Sequence, residues 1–426
     1  MDKKDQRYQD YVSILKKELV PAMGCTEPIA IAFAAALAKE KFNQEIDAVD
    51  IYASGNIIKN VKSVIVPNTG GRKGIPVAAV VGIIAGDASK NLEVISEVSE
   101  EQRAAIDTFM KEKCIRVHPL KCENALELEV IVSNEKSYCK VKVAQEHSNV
   151  VLIEKNQEIL FEKSICGKEQ KDEAYASLSM EDIYDFALTA DLDDVKDILQ
   201  RQIDYNTAIA KEGIEKCYGA GIANMLLKVY GDSVQVKARA MAAAGSDARM
   251  SGCELPVIIN SGSGNQGMSA SLPVIVYAKE LQKSKEELYR ALLISNLSTI
   301  YQKQFIGRLS AYCGAVSAGA GAGAGIAYLL GGNYENITHT IVNALAITSG
   351  MICDGAKPSC AAKIASAVDA GIMGCYMYQC GKQFYCGEGI VQKGIKATIE
   401  SVGELARKGM KGTDEEIIEL MIKNDK

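Results

Sequence analysis

A chain of 426 residues with 48% hydrophobic and 24% charged residues has the make-up of an ordinary globular protein, long enough for roughly two or three domains and a sizeable core. Its formal net charge of -6 and pI near 5.5 supply no electrostatic footprint for nucleic acid or an anionic membrane, which sets both aside as partners. The polar start Met1-Asp2-Lys3-Lys4-Asp5-Gln6 lacks the apolar core of a signal peptide and places the chain in the cytoplasm, where thirteen cysteines, an odd number, point to thiolate ligands or catalytic thiols rather than disulfides. With only His118, His147 and His339 in the chain, proton transfer is expected to fall to another residue type.

In chain order, Tyr8, Tyr11, Ile14, Leu15 and Leu19 fall near helical spacing, and Pro21 ends that helix. Ala22-Met23-Gly24-Cys25-Thr26-Glu27-Pro28 then precedes an apolar run from Ile29 to Ala38. Pro28 suits a first helical turn and Thr26 or Glu27 can cap it, which leaves Cys25 beside the positive end of the helix dipole. That placement favours a thiolate, so Cys25 is the candidate base or nucleophile, against the plain alternative of a packed small residue.

Ala48 to Ala53 reads as a strand. Asn68-Thr69-Gly70-Gly71-Arg72-Lys73-Gly74 follows as a loop opening into a helix from Pro76 to Ala85; its glycines with Arg72 and Lys73 have the make-up of a carboxylate grip or of a plain turn, and lack Walker spacing. After a polar helix from about Leu92 to Lys113, five strand-length segments between Cys114 and Glu162 read as a small antiparallel sheet, so that roughly 112–166 forms a compact α+β insertion with a structural or assembly role.

Helical texture returns from about Asp172, with long patterns over Met180 to Gln200 and Tyr205 to Tyr230, the second open to interruption at Gly213 and Gly219. An extended Leu255 to Asn260 leads into Ser261-Gly262-Ser263-Gly264-Asn265-Gln266-Gly267. Its glycines formally match the dinucleotide fingerprint, but no second strand follows the next helix, so the loop reads as a pocket for a small anion through Ser261, Ser263, Asn265 and Gln266, or as a tight turn. The uncharged, Gly/Ala-rich stretch between Arg308 and Glu335 carries little transfer energy and reads as buried protein that lets backbones approach closely.

The stretch Cys353-Asp354-Gly355-Ala356-Lys357-Pro358-Ser359-Cys360 carries two sulfurs around a turn broken by Gly355 and Pro358. With Cys313 they make one possible three-thiolate ligand set, and Cys375, Cys380 and Cys386 make another; spacing does not choose between them, and small cysteines also simply pack in such cores.

Met23-Gly24-Cys25-Thr26-Glu27-Pro28, the Cys313, Cys353, Cys360 spacing and the 68–74 and 261–267 segments together resemble the iron-sulfur L-cysteine desulfidases, relatives of the iron-sulfur L-serine dehydratases, over nearly the whole chain. The resemblance implies a [4Fe-4S] cluster held by Cys313, Cys353 and Cys360 with one iron lacking a protein thiolate. It implies Cys25 as the proton-transfer base and Asn68, Thr69, Gly70, Arg72, Lys73, Ser261, Ser263, Asn265 and Gln266 as substrate contacts. The implied reaction is β-elimination of L-cysteine to pyruvate, ammonia and hydrogen sulfide. Where the serine dehydratases place a His in a comparable short motif this chain has Cys25, so serine dehydration is the alternative; a pyridoxal phosphate lyase and a non-catalytic cluster-bearing redox sensor are the others. The expected fold is mainly α, with residues 1–111 and 167–426 forming one helical catalytic unit around the 112–166 insertion, and a homodimer by analogy.

Overall fold

The computed structural model describes residues 1–122, 124–164, 173–307 and 309–423. The first segment runs α1 (Gln6–Glu18), β1 (Pro21–Met23), α2 (Thr26–Phe42), β2 (Ala48–Ser54), α3 (Gly55–Val61), α4 (Ile75–Ala85) and α5 (Glu100–Glu112). Five strands follow: β3 (Cys114–Leu120), β4 (Glu127–Ser133), β5 (Tyr138–Ala144), β6 (Val150–Lys155) and β7 (Glu158–Glu162). The rest is helical apart from β8 (Pro256–Ile258): α6 (Glu173–Ala176), α7 (Met180–Thr189), α8 (Lys196–Glu215), α9 (Ile222–Tyr230), α10 (Val234–Met250), α11 (Gly264–Glu280), α12 (Lys285–Ile306), α13 (Gly314–Leu329), α14 (Tyr334–Thr348), α15 (Cys360–Gln379), α16 (Ile395–Glu404) and α17 (Lys411–Lys423). The protein is mainly helical with one small sheet, as expected, and among the described residues no helix is long and apolar enough to cross a membrane.

Two expectations about elements are corrected. The 180–200 pattern is not one helix, because the chain breaks at 190–195 between α7 and α8; the second pattern is interrupted at 216–221, where Gly219, one of the two glycines read as a break, and Gly221 take positive φ. The sheet is mixed rather than antiparallel. Its order is β3-β2-β4-β5-β6-β7, and β2 pairs parallel with β3 and antiparallel with β4. Val49, Ile51 and Ala53 of β2 are buried on one face, so this strand shares the apolar alternation of its neighbours although about 60 residues of helix separate it from β3. α2 lies across β4 and β5, covering Val130, Val132, Val141 and Val143. The helix capped by Cys25 thus packs on the sheet.

The helical core is built around α13, which packs on α11, α12, α14 and α15. Its alternating Gly and Ala allow near-backbone contact: a Cβ on Gly319 would lie 2.3 Å from the Ala367 carbonyl oxygen, and one on Gly371 of α15 would lie 2.1 Å from that of Gly319. The uncharged stretch is therefore a buried helix. Gly371→Val is expected to destabilise the fold by about 3 kcal/mol or more, since backbone has to move to admit the side chain, which denaturant unfolding would measure. The N-terminal segment joins this core through β1, antiparallel to β8 with Ala22 opposite Val257, and through the Thr26 hydroxyl, which donates to the Gly262 carbonyl at 3.0 Å.

Candidate functional site

Two stretches forty residues apart are tied into one ledge. Tyr312 and Ile352 form an antiparallel bridge, the Cys313 amide donates to the Met351 carbonyl at 3.1 Å and the Cys353 amide to the Ala311 carbonyl at 2.6 Å. This fixes the residues that carry two of the sulfurs. The third is delivered by the turn to α15: Gly355 has φ +96, and a Cβ there would meet the Lys59 carbonyl oxygen at 2.4 Å, so the sharp passage needs glycine. Asp354 holds the turn through Lys357 at 2.5 Å and through Lys363. Cys313 is the N-cap of α13 and Cys360 the first residue of α15, so two helix N-termini face the same space.

Cys313, Cys353 and Cys360 line one cavity of about 100 Å³ together with Cys25. Burial, followed by the proximity of Cys353, pushes the Cys313 thiol up to about 12, with Lys363 opposing; burial also raises Cys360, with Cys353 adding to it. Cys313 and Cys360 therefore both sense Cys353 while keeping their own protons, which a metal centre would displace on binding. No group of three or more His, Cys, Asp or Glu side chains among the described residues is arranged to hold a single metal ion. The other cysteine set does not reach the cavity: Cys375 is buried in α15, while Cys380 and Cys386 are exposed.

Cys25 is itself the N-cap of α2 and is 2% exposed. Its thiol donates to Glu27 Oε2 at 3.0 Å. The expectation that the helix dipole lowers this thiol is corrected: burial first, then the Glu27 carboxylate, holds it well above its ordinary value, and Arg249 only partly offsets them. Glu27 goes the other way. Burial would raise it, but His147, Cys25 and a backbone N–H bring it down to about 2. His147 Nε2 stands 3.7 Å from Oε1, too far for a hydrogen bond, and Asn60 Nδ2 donates to Oε1 at 2.9 Å. In the free protein the proton thus stays on sulfur.

The remaining wall is polar and cationic. Arg249, Lys59, Lys303 and Lys363 line the cavity, and Glu27 is its one carboxylate among the described residues. Lys59 is tied to Asp414 of α17 at 2.5 Å and to the Cys353 carbonyl at 3.2 Å. Arg249 Nη1 donates to Asn265 Oδ1 at 3.1 Å, leaving Nε without a partner; Gln266 Oε1 and the Tyr312 hydroxyl are also buried without one. Two glycines make room: a Cβ on Gly264 would lie 2.4 Å from Arg249 Nε, and one on Gly314 would lie 2.6 Å from Gln266 Cδ. Unpartnered buried polar atoms cost about 1–3 kcal/mol each, which a ligand would relieve.

Of the residues read as substrate contacts, Ser263, Asn265 and Gln266 line the cavity. Ser261 stands behind it, bonded to Asn260 Oδ1 at 2.8 Å. The 68–74 loop contributes no lining residue. Asn68 donates to the Ile95 carbonyl, Thr69 to the Val66 carbonyl, and Arg72 is committed to Asp107 at 2.6 Å and to the Thr69 carbonyl; Gly70 turns the chain at φ +69, and Lys73 is exposed, bridged to Ile65. Pro67, just before this loop, packs where a side chain on Gly24 would stand, 2.2 Å from its Cβ, and so props the Cys25 turn. Sequence reasoning missed Arg249, Lys59, Asn60 and His147. The first three sit in helices with no local motif, and His147 lies in a strand-to-strand turn, 120 residues from the carboxylate it faces. Glu27 was visible beside Cys25, but as a helix cap.

Residues 89–419 match the family model described as serine dehydratase alpha chain. The match covers Cys313, Cys353 and Cys360 but begins beyond Cys25. Across the whole length the chain is similar to UPF0597 proteins: 55% identical to one from Desulfitobacterium hafniense, covering 99% of this chain and 98% of the relative. One from Lachnoclostridium phytofermentans is 52% identical over 97% and 100%, and one from Parabacteroides distasonis 36% identical over 96% and 97%.

Proposed function

The chain belongs to the UPF0597 proteins and to the serine dehydratase alpha-chain family, which makes it a lyase of amino acids in kind, and from that premise we propose that it is an iron-sulfur L-cysteine desulfidase. The observation that carries the reading is the meeting of Cys25 with Cys313, Cys353 and Cys360 on one buried, cation-lined cavity. These three thiols suit a [4Fe-4S] cluster: two stand at helix N-termini, Lys363 offsets their charge, and among the described residues no fourth cysteine besides Cys25 lines the space. Bound there, such a cluster supplies a Lewis-acidic iron without a protein thiolate, at which a substrate sulfur leaves more readily.

The protein's own groups account for the rest. Arg249, with Nε free, and the amides of Asn265 and Gln266 form a polar cradle for the substrate carboxylate at the start of α11. Cys25 faces the same space and removes the proton from the α-carbon, the sulfur keeping the pair that formed its own S–H bond before that proton left. Val64 and Met250 pack around Cys25 and exclude water from it. Elimination leaves aminoacrylate, which hydrolyses to pyruvate and ammonia.

Anaerobic purification with iron and sulfide counting, followed by hydrogen sulfide release from L-cysteine beside pyruvate release from L-serine, tests the reading. Iron with no turnover of either amino acid would sink it in favour of a sensor, and turnover of serine alone would reassign it to dehydration. Arg249→Lys is expected to raise the KM for L-cysteine by about 10- to 100-fold with a smaller loss in kcat, because a point charge replaces a forked donor in the carboxylate cradle.

A further inference from the structure

A line of buried polar groups joins Cys25 to the sheet. Glu27 Oε2 accepts the Cys25 thiol hydrogen at 3.0 Å, and Oε1 is held by Asn60 at 2.9 Å. Beyond it stands His147, 4% exposed, whose Nε2 is 3.7 Å from Oε1 and makes no hydrogen bond. His147 belongs to the turn between β5 and β6, a turn that also has the Ala144 amide donating to the Asn149 carbonyl at 3.1 Å and Gln145 at φ +69. Ser148 beside it is exposed. A surface turn of the sheet thus sends one imidazole inward to one carboxylate. A carboxylate at this depth needs polar partners, and an imidazole nitrogen aimed at it with no other hydrogen bond is placed to be one.

We propose that Glu27 and His147 are positioning residues for Cys25: Glu27 takes the thiol hydrogen so that the sulfur lone pairs face the cavity, and His147 keeps Glu27 aimed at the sulfur. The sheet is then a working part of the site and not only a structural insertion. This rests on the reading of Cys25 as base. For Cys25 to take a proton from carbon its own proton has to leave; Glu27 Oε2 is the acceptor in place, the S–H bond breaks with both electrons kept on sulfur, and an O–H bond forms on the carboxylate, a transfer that runs uphill in the free protein, where Glu27 is held at about 2 and the thiol is raised. Asn60 stays bonded to the other oxygen throughout.

The test compares Glu27→Gln and His147→Asn with Cys25→Ser in anaerobically purified, cluster-loaded protein, and measures thermal midpoints and alkylation of the Cys25 peptide by iodoacetamide in cluster-free protein. Glu27→Gln should keep iron, sulfide and KM and lower kcat by about 10²–10⁴-fold, the usual range for a positioned proton partner. His147→Asn should lower kcat by about tenfold or more, and both should change the pH dependence of Cys25 alkylation, which a merely structural strut would not do. If Cys25→Ser stays active, the base assignment itself falls. If Cys25→Ser is inactive while Glu27→Gln keeps full kcat and unaltered alkylation, only the positioning inference falls. A raised KM with unchanged kcat in Glu27→Gln would make Glu27 a partner of the substrate ammonium and overturn the inference. Full activity in His147→Asn would remove the sheet from the site.

Discussion

Single replacement of Cys313, Cys353 or Cys360 by Ala is expected to remove both iron and turnover, lowering cluster content by about tenfold or more and hydrogen sulfide release below detection. The reason is bond chemistry, since each change deletes a thiolate from a set of three with, among the described residues, no fourth cysteine except Cys25 on the cavity wall. The cost to the fold is of a different size. Deleting one buried sulfur removes roughly a methylene's worth of burial, about 1 kcal/mol, so the thermal midpoint of the cluster-free protein should move by only a few degrees. The same replacement at Cys380 or Cys386, both exposed and away from the cavity, should leave iron and activity in place, and at Cys375 should cost stability alone. Iron that survives loss of Cys313, Cys353 or Cys360, or that departs with Cys380 or Cys386, would hand the cluster to other ligands. Air is expected to strip the iron without a thiolate first, so aerobic protein should show fewer irons per chain than anaerobic protein.

Cys25→Ser is expected to separate base from ligand. A serine hydroxyl can make the same hydrogen bond to Glu27 Oε2 that the thiol makes at 3.0 Å, so the start of α2 and its packing should survive. Iron and sulfide should stay at the level of the unaltered protein, and the KM for L-cysteine should change little, because the carboxylate cradle belongs to α10 and α11. Turnover should fall by about 10²–10⁴-fold, the hydroxyl being a far weaker base near neutral pH. Exchange of the substrate α-hydrogen with deuterated solvent is the direct measurement. Unchanged exchange would rule Cys25 out, and loss of iron would make it a fourth ligand and end the open-iron reading. The raised thiol of the free protein adds one expectation: alkylation of Cys25 should be slow at neutral pH, unlike that of an activated surface cysteine.

Much of the helical part was legible because its signals are local. Tyr8, Tyr11, Ile14 and Leu15 repeat at helical spacing and are all buried in α1, and Lys285 to Phe305 forms one helix with a Ser284 and Glu287 capping box. Gly and Ala in α13 were read as close backbone approach, and the carbonyl oxygens of Ala367 and Gly371 lie within 2.5 Å of where their side chains would be. The parallel pairing of β2 with β3 was not legible, because apolar alternation states that a strand is half-buried and says nothing of its neighbour.

The sequence by itself offered candidates for chemistry: the Cys353 to Cys360 turn with Cys313 as one of two cysteine sets, which the family resemblance preferred, Cys25 before a helix, and amides in a glycine-rich loop. Tertiary structure alone decided which of them meet. It selected Ser263, Asn265 and Gln266 for the cavity wall and left the 68–74 loop off it, because a loop's role depends on what packs against it. It brought Arg249 from α10 and His147 from the sheet to groups far away in the chain. It also set the charge on Cys25, where burial beside Glu27 outweighs the helix end that sequence position suggested: desolvation acts on the whole surroundings of a group, and those are known only once the chain has folded.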